Sequence, residues 1–117
     1  MSKSILKERS FDFGVQIVLF CQYLRKEKKE YVLYKQILRS GTAIGALIRE
    51  AEFGQSRADF ISKMSIALKE ANETEYWLDL LKNSECLLEE QYRDLSNPLK
   101  DILHMLIATI KTAKANK

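Results

Sequence analysis

The stretch that decides the fold is FISKMSIALKEANETEYWLDLL, residues 60–81. When these residues are placed at about 100° per residue, as in an α-helix, apolar side chains form one continuous stripe. The members of this inner stripe are Phe60, Met64, Ala67, Leu68, Ala71 and Leu78. Such a stripe predicts an amphipathic helix that buries one side against other helices, and we place this helix at about Arg57 to Asn83.

A second apolar group lies on another side of the same helix, well over a quarter-turn from the inner stripe. It consists of Ile66, Trp77 and Leu80. A monomeric bundle needs only the inner stripe, so a tryptophan with two aliphatic neighbours elsewhere indicates a second buried surface. Identical subunits are the simplest partners, and we predict a subunit interface here. The alternative is that Trp77 packs beneath a loop of its own chain.

The same periodicity predicts three further helices. They run from about Ser10 to Leu24, from about Leu33 to Phe53, and from near Glu89 to about Ile110. Ser10 is a good N-cap for the first of them. For the last, Asn97 and Pro98 fit a helix start, but apolar residues continue at helical spacing back to Leu88. We therefore favour a longer helix that kinks at Pro98.

The clearest boundary lies between the second and third helices. Gly54 is well placed to follow the end of one helix, and Ser56 with Asp59 resembles a capping box at the start of the next. Four amphipathic helices with short connections predict an antiparallel up-down-up-down four-helix bundle. We expect residues 1–117 to form this single all-α domain.

Composition bounds the class of protein. The chain is 46% hydrophobic and 30% charged, which is too apolar for disorder. It has no apolar run near the ~20 residues that span a bilayer, and its first residues do not form a signal peptide. We therefore expect a cytoplasmic protein without a membrane partner. Cys21 and Cys86 belong to no metal-binding pattern and are expected to be reduced thiols that mostly pack.

The sequence contains no recognisable catalytic or metal-binding motif. His104 is the single histidine and is expected on the surface, so the paired Glu-x-x-His ligands of a di-iron bundle are missing. There is also no glycine-rich phosphate loop and no nucleophile elbow. We predict no catalytic residue, no metal, no cofactor and no enzymatic activity.

Two carboxylates of the third helix, Glu70 and Glu73, lie beside the second apolar side. We predict that they form a polar network with an arginine such as Arg39 or Arg49, because a charge near a buried surface needs a partner. Such a network would hold helix register or a subunit contact. The alternative is a solvated helix face with nearby lysines.

A basic cluster follows the first helix and enters the second. Its members are Arg25, Lys26, Lys28, Lys29, Lys35 and Arg39. The cluster is the predicted nucleic-acid-binding site, and a ring of subunits would repeat it so that phosphate contacts add up. Tyr23, Tyr31 and Tyr34 are close enough in sequence to stack bases, or equally to pack. The alternative is a run that only aids solubility, since Glu27 and Glu30 dilute it and the net charge is only +3.

Two segments resemble the S23 ribosomal, or 23S rRNA intervening-sequence, family of four-helix bundles. One is RSGTAIGA at residues 39–46 with Glu50 and Ala51, and the other runs from Ser56 through ALKEANETEYWL at residues 67–78. The similarity extends from about Phe11 to Ile110. Ala43 stands where the family often has Ser, and Leu47 where it often has Asn, so this chain lacks the polar groups of those two positions.

The resemblance implies a bacterial cytoplasmic protein of unknown function that assembles into a ring-like homo-oligomer, typically a homopentamer. Family members are encoded within insertions in 23S rRNA genes. A related bundle, the accessory variability protein of diversity-generating retroelements, binds nucleic acid and a reverse transcriptase. Our first hypothesis is an oligomeric protein that binds RNA or DNA, and the alternative is a protein-interaction scaffold or accessory subunit.

Overall fold

Four α-helices make up the structure, a computed structural model that describes the backbone of residues 2–116 and the side chains of residues 5–116. They are α1 (Ser2–Lys26), α2 (Leu33–Glu52), α3 (Arg57–Asn83) and α4 (Glu89–Ala115). Each helix packs against the next one in the chain, and α4 packs back against α1. The predicted all-α four-helix bundle is confirmed.

The core forms where the inner stripes of the four helices meet. The side chains with no exposed surface include Phe13 and Ile17 of α1, Ile44 of α2, Met64 of α3 and Leu99 of α4. The core also holds a polar pair, because the hydroxyl oxygens of Ser40 and Thr74 lie 2.8 Å apart in the interior. This bond joins α2 to α3 and gives both buried hydroxyls a partner, as buried polar groups require.

The first helix begins earlier than predicted. It starts at Ser2, and Ser10 is a buried residue inside it whose hydroxyl donates to the carbonyl of Lys7 at 3.0 Å. The reason is that Leu6 is completely buried. It lies one turn before Ser10 and two turns before Phe13, on the same face of the helix. Burial of Leu6 extends α1 past the residue that resembled a cap.

The boundary between α2 and α3 agrees with the prediction. The Ser56 hydroxyl accepts a hydrogen bond from the Asp59 amide at 3.0 Å, so Ser56 caps α3. Gly54 follows the C-cap Phe53, but no glycine within residues 2–116 has a positive φ. Gly54 is required by space instead, because a Cβ there would lie 2.9 Å from the Asp59 carboxylate and 3.1 Å from the Ala51 carbonyl oxygen.

The fourth helix starts at Glu89 and continues through Pro98, as predicted for the longer helix. Leu88 does not extend its apolar face, because this residue is the N-cap and is 71% exposed. Leu87 is buried in its place. His104 is exposed on the outer side of α4, as expected. None of the helices in residues 2–116 is long and apolar enough to cross a membrane.

Candidate nucleic-acid interface

The basic cluster occupies the turn between α1 and α2, at one end of the bundle. Arg25 and Lys26 lie in the last turn of α1, and Lys35 lies in the first turn of α2. Lys28 and Lys29 lie in the connection, where Lys29 has a φ of 53°. All five side chains are exposed, and none of them pairs with a carboxylate anywhere in residues 5–116.

Glu30 caps the start of α2 from two residues upstream. One of its carboxylate oxygens accepts hydrogen bonds from the amides of Val32, at 2.9 Å, and Tyr34, at 3.1 Å, and also from Leu33. These amides are among those that a helix leaves without partners at its N-terminus. Glu30 is therefore directed at the positive end of the α2 dipole rather than at the five cations. From sequence alone, Glu30 was expected only to dilute the positive charge of the cluster.

The distribution of charge singles out this turn. Residues 25–35 contain five cations and two carboxylates, whereas all other residues together contain fourteen of each. The formal net charge of +3 therefore resides in this one segment, which we call the basic turn. An electrostatic footprint of this kind, clustered at one end, is what attracts a polyanion.

Cations on the other two helices at the same end of the bundle are arranged differently. Lys82 of α3 and Arg93 of α4 both pair with Glu89, at 3.4 Å and 3.7 Å. Their charge is compensated by an adjacent carboxylate. The uncompensated positive charge thus faces outward from the α1–α2 side of the end.

Arg39 differs from the cations of the basic turn because it has carboxylate partners. Its guanidinium pairs with Glu70 at 3.1 Å and also with Glu73, which accepts a second hydrogen bond from the indole nitrogen of Trp77 at 3.0 Å. These contacts tie α2 to α3 and place the two glutamates in a network with Arg39 rather than Arg49. Because its charge is shared with two carboxylates, Arg39 adds no free positive charge for phosphate.

The three tyrosines near the basic turn differ in exposure. Tyr23 is half-buried and stacks with Phe20, with ring centroids 6.4 Å apart. Tyr34 is half-buried, and its carbonyl oxygen accepts from the Cys21 thiol at 3.5 Å. Tyr31 is 58% exposed and comes directly after Lys28, Lys29 and Glu30 in the chain. Only Tyr31 among the three has its ring available to a ligand.

The predicted interface side of α3 is less apolar than its sequence suggests. Ile66 is 41% and Leu80 is 38% exposed, but Trp77 is half-buried against the core of its own chain. Trp77 is also bonded to Glu73, which is itself paired with Arg39. This side therefore offers two partly exposed aliphatic side chains beside a charged network.

A larger exposed apolar face, which was not predicted from sequence, lies along the outside of α1. Its side chains, called here the α1 outer face, are Phe11, Val15, Val18 and Leu19, with exposures between 39% and 60%. A groove between α1 and α2 adjoins it, and Gly14, Gly45 and Ala46 are among the residues that line this groove. These four residues have the i, i+4, i+7, i+8 spacing of one helix face, roughly opposite the buried side of α1. The buried side alone was enough to predict the helix, so this second spacing was not used.

Among the described side chains, Cys21 and Tyr92 have shifted pKa values, and both shifts are explained by their surroundings. Burial raises the pKa of the Cys21 thiol to about 11, so this thiol is protonated and unreactive at neutral pH. The Tyr92 hydroxyl donates to the Asp79 carboxylate at 2.6 Å, and this bond raises the pKa of Tyr92. Both groups serve packing between helices. Across residues 5–116 no three His, Cys, Asp or Glu side chains come together as a metal-binding group.

Comparison with known proteins places the chain in a family. The family model described as 23S rRNA-intervening sequence protein matches residues 2–108, which is nearly the whole chain. The chain belongs to this family. The match includes α1, α2 and α3 completely and most of α4, so the basic turn and the α1 outer face both lie inside the family's bundle.

A solved relative agrees with this assignment. A crystal structure from Bacteroides thetaiotaomicron, described as a protein with unknown function from the S23 ribosomal protein family, is 55% identical to this chain. The alignment covers 95% of this chain and 99% of the relative, with a TM-score of 0.93. No curated protein matches the chain. The predicted membership of the S23, or 23S rRNA intervening-sequence, family is confirmed.

Proposed function

We propose that this chain is a non-enzymatic, cytoplasmic, oligomeric protein that binds the phosphates of RNA or DNA through the basic turn. The observation that carries the proposal is the location of the net charge. Arg25, Lys26, Lys28, Lys29 and Lys35 are exposed without carboxylate partners, while the charges of the remaining residues balance. A flexible lysine cluster of this kind suits backbone contacts, which fix position without reading sequence.

Self-association strengthens the same chemistry. A single basic turn holds too few cations for tight binding at physiological salt, since each phosphate contact is weakened by counterions. In a ring-like homo-oligomer, such as a pentamer, the turns of all subunits would face one strand and their contacts would combine.

The affinity for nucleic acid is expected to fall steeply with salt. If all five cations of one turn contact phosphates of a single strand, the slope of log K against log[salt] is about −3.5 for each engaged subunit. Fluorescence anisotropy with a labelled oligonucleotide, at salt concentrations from about 50 to 200 mM, measures this slope. Absence of binding at the lowest salt, or binding that does not depend on salt, would contradict the proposal.

The subunit contact is proposed to lie on the α1 outer face. Replacement of Val15 and Leu19 by serine removes two of its apolar side chains, which are 46% and 60% exposed and therefore contribute little to the monomer's core. We expect this double variant to lose the oligomer while its helical circular dichroism stays unchanged. Light scattering coupled to gel filtration measures the mass.

The matched control is the double variant Ile66→Ser with Leu80→Ser, on the predicted interface side of α3. These two residues are also partly exposed, at 41% and 38%, so the change in apolar surface is similar. They are better test positions than Trp77, whose removal would also disturb the core and the Glu73 bond. Dissociation of the α3 variant alone would move the interface to Ile66, Leu80 and Trp77, and a monomeric wild type would refute self-association.

A protein-interaction scaffold is the second candidate function. The observation that favours it is the same α1 outer face, since an apolar surface of this kind also fits another protein, such as a reverse transcriptase. An oligomer that ignores nucleic acid at low salt would favour this second function. Binding that is lost with salt would favour the first.

A further inference from the structure

We propose that the basic turn recognises unpaired bases and therefore prefers single-stranded nucleic acid to a duplex. This inference rests on the proposed function and adds a substrate class to it. Its basis is the pair of exposed side chains at the tip of the turn. Tyr31 is 58% exposed and Val32 is 70% exposed, and both lie between Lys29 and Lys35.

The Tyr31 side chain makes no hydrogen bond and no ring contact with the side chains of residues 5–116. The other two tyrosines of this region are half-buried, one stacked on Phe20 and the other bonded through its backbone to Cys21. Tyr31 is instead mostly exposed, and it lies two residues after Lys29 and four before Lys35, among the exposed lysines that are proposed to hold phosphates. An aromatic ring next to backbone-binding cations is the arrangement by which proteins bind single strands without sequence preference.

The turn that carries Tyr31 is held in place on both sides. On one side, the Glu30 amide donates to the carbonyl of Leu24 at 2.9 Å. On the other, the Glu30 carboxylate accepts from Val32 and Tyr34, at 2.9 Å and 3.1 Å. Tyr31 therefore sits between residues whose backbones are fixed to both helices. A ring on a fixed backbone loses less conformational freedom when a base stacks on it.

Glu30 also determines which part of the turn meets the ligand. Its carboxylate occupies the first amides of α2, which would otherwise be an anion site. In this proposal the lysines bind the phosphates, and the Tyr31 ring stacks on the bases. A duplex offers the lysines its phosphates but keeps its bases stacked inside, so Tyr31 adds affinity only for a strand with unpaired bases.

Replacement of Tyr31 by alanine tests this inference. The measurement is fluorescence anisotropy at low salt, with a labelled oligo(dT) single strand and a duplex that contains the same number of phosphates, each with about 20. The wild type is expected to bind the single strand about 10-fold more tightly than the duplex. Tyr31→Ala should weaken single-strand binding by about 10-fold and change duplex binding by less than about 2-fold, whereas Tyr31→Phe should keep the preference.

Phe53 supplies the matched control. It is 78% exposed and is the C-cap of α2, at the opposite end of that helix from the basic turn, so Phe53→Ala removes an accessible ring and should leave both affinities unchanged. Equal binding of single strand and duplex, or an equal loss of both in Tyr31→Ala, would overturn the inference while phosphate binding stands. If the wild type binds neither probe, the proposed function itself fails and the inference fails with it.

Discussion

Replacement of Lys26, Lys28 and Lys29 together by glutamate is expected to lower nucleic-acid affinity by at least about 100-fold. Three unpaired cations are lost and three anions are introduced beside Glu27 and Glu30, so the basic turn becomes an acidic one. The steepness of the salt dependence should fall as well, by about 2 for each engaged subunit, because three phosphate contacts disappear from each basic turn. Fluorescence anisotropy at low salt measures both quantities.

A control with the same change in charge separates the local site from the overall field. Lys100, Lys111 and Lys114 are exposed on α4 and make no ion pair among the described side chains, and two of them lie near the opposite end of the bundle. Replacement of these three by glutamate should change affinity only several-fold through long-range repulsion. Equal losses in the two triple variants would show that the basic turn is not the binding site.

The fold was predictable from sequence wherever burial and capping agreed. At Ser56 the cap, the following acidic residue and the apolar stripe all indicated one helix start, and α3 runs over the predicted residues. At Ser10 they disagreed. A residue with a good cap side chain lies in register with Leu6, and burial of Leu6 decided the outcome. Local propensity therefore failed where a tertiary contact stabilised an extra helical turn.

The candidate site was predictable in its composition and only partly in its partners. The sequence placed Arg39 in the basic cluster, one turn beyond Lys35, and also offered it with Arg49 as a partner of the two α3 glutamates. The choice of Arg39 over Arg49 depends on how α2 packs on α3, which spacing within one helix does not contain. Glu30 is a different case. Val32 is the N-cap of α2, and its side chain cannot accept a hydrogen bond. The nearest upstream carboxylate, Glu30, is therefore the cap that the sequence alone could have indicated.

The close approach of α1 to α2 at Gly41 makes the stability of the bundle sensitive to substitution at this position. Gly41 is buried on α2, and a Cβ at this position would lie 2.9 Å from both γ carbons of Ile17 and 3.1 Å from its δ carbon. The γ carbons are fixed close to the backbone of α1, so Ile17 has little room to move aside. Glycine costs up to about 1 kcal/mol in helix propensity at such a position, and close helix packing offsets this cost.

Gly41→Val is therefore expected to lower the free energy of unfolding by about 3 kcal/mol, because three added carbons overpack a filled interior. Urea denaturation followed by circular dichroism, at a fixed protein concentration, measures the change. Gly14→Val is the matched control, since a Cβ at Gly14 meets nothing within 4 Å. This substitution should be neutral or slightly stabilising through helix propensity.

A second substitution tests whether Ile17 is the cause. Ile17 has no exposed surface, so Ile17→Ala alone is expected to cost about 2–5 kcal/mol through the cavity that it leaves. Valine at position 41 would fill part of that cavity. The loss of unfolding free energy in the double variant should therefore be smaller, by about 1–3 kcal/mol, than the sum of the losses in the two single variants. Strictly additive losses would show that the clash with Ile17 does not limit the approach of α1 to α2. In that case the backbone contact at Gly45, where a Cβ would lie 3.2 Å from the Ser10 carbonyl oxygen, would be the stronger constraint.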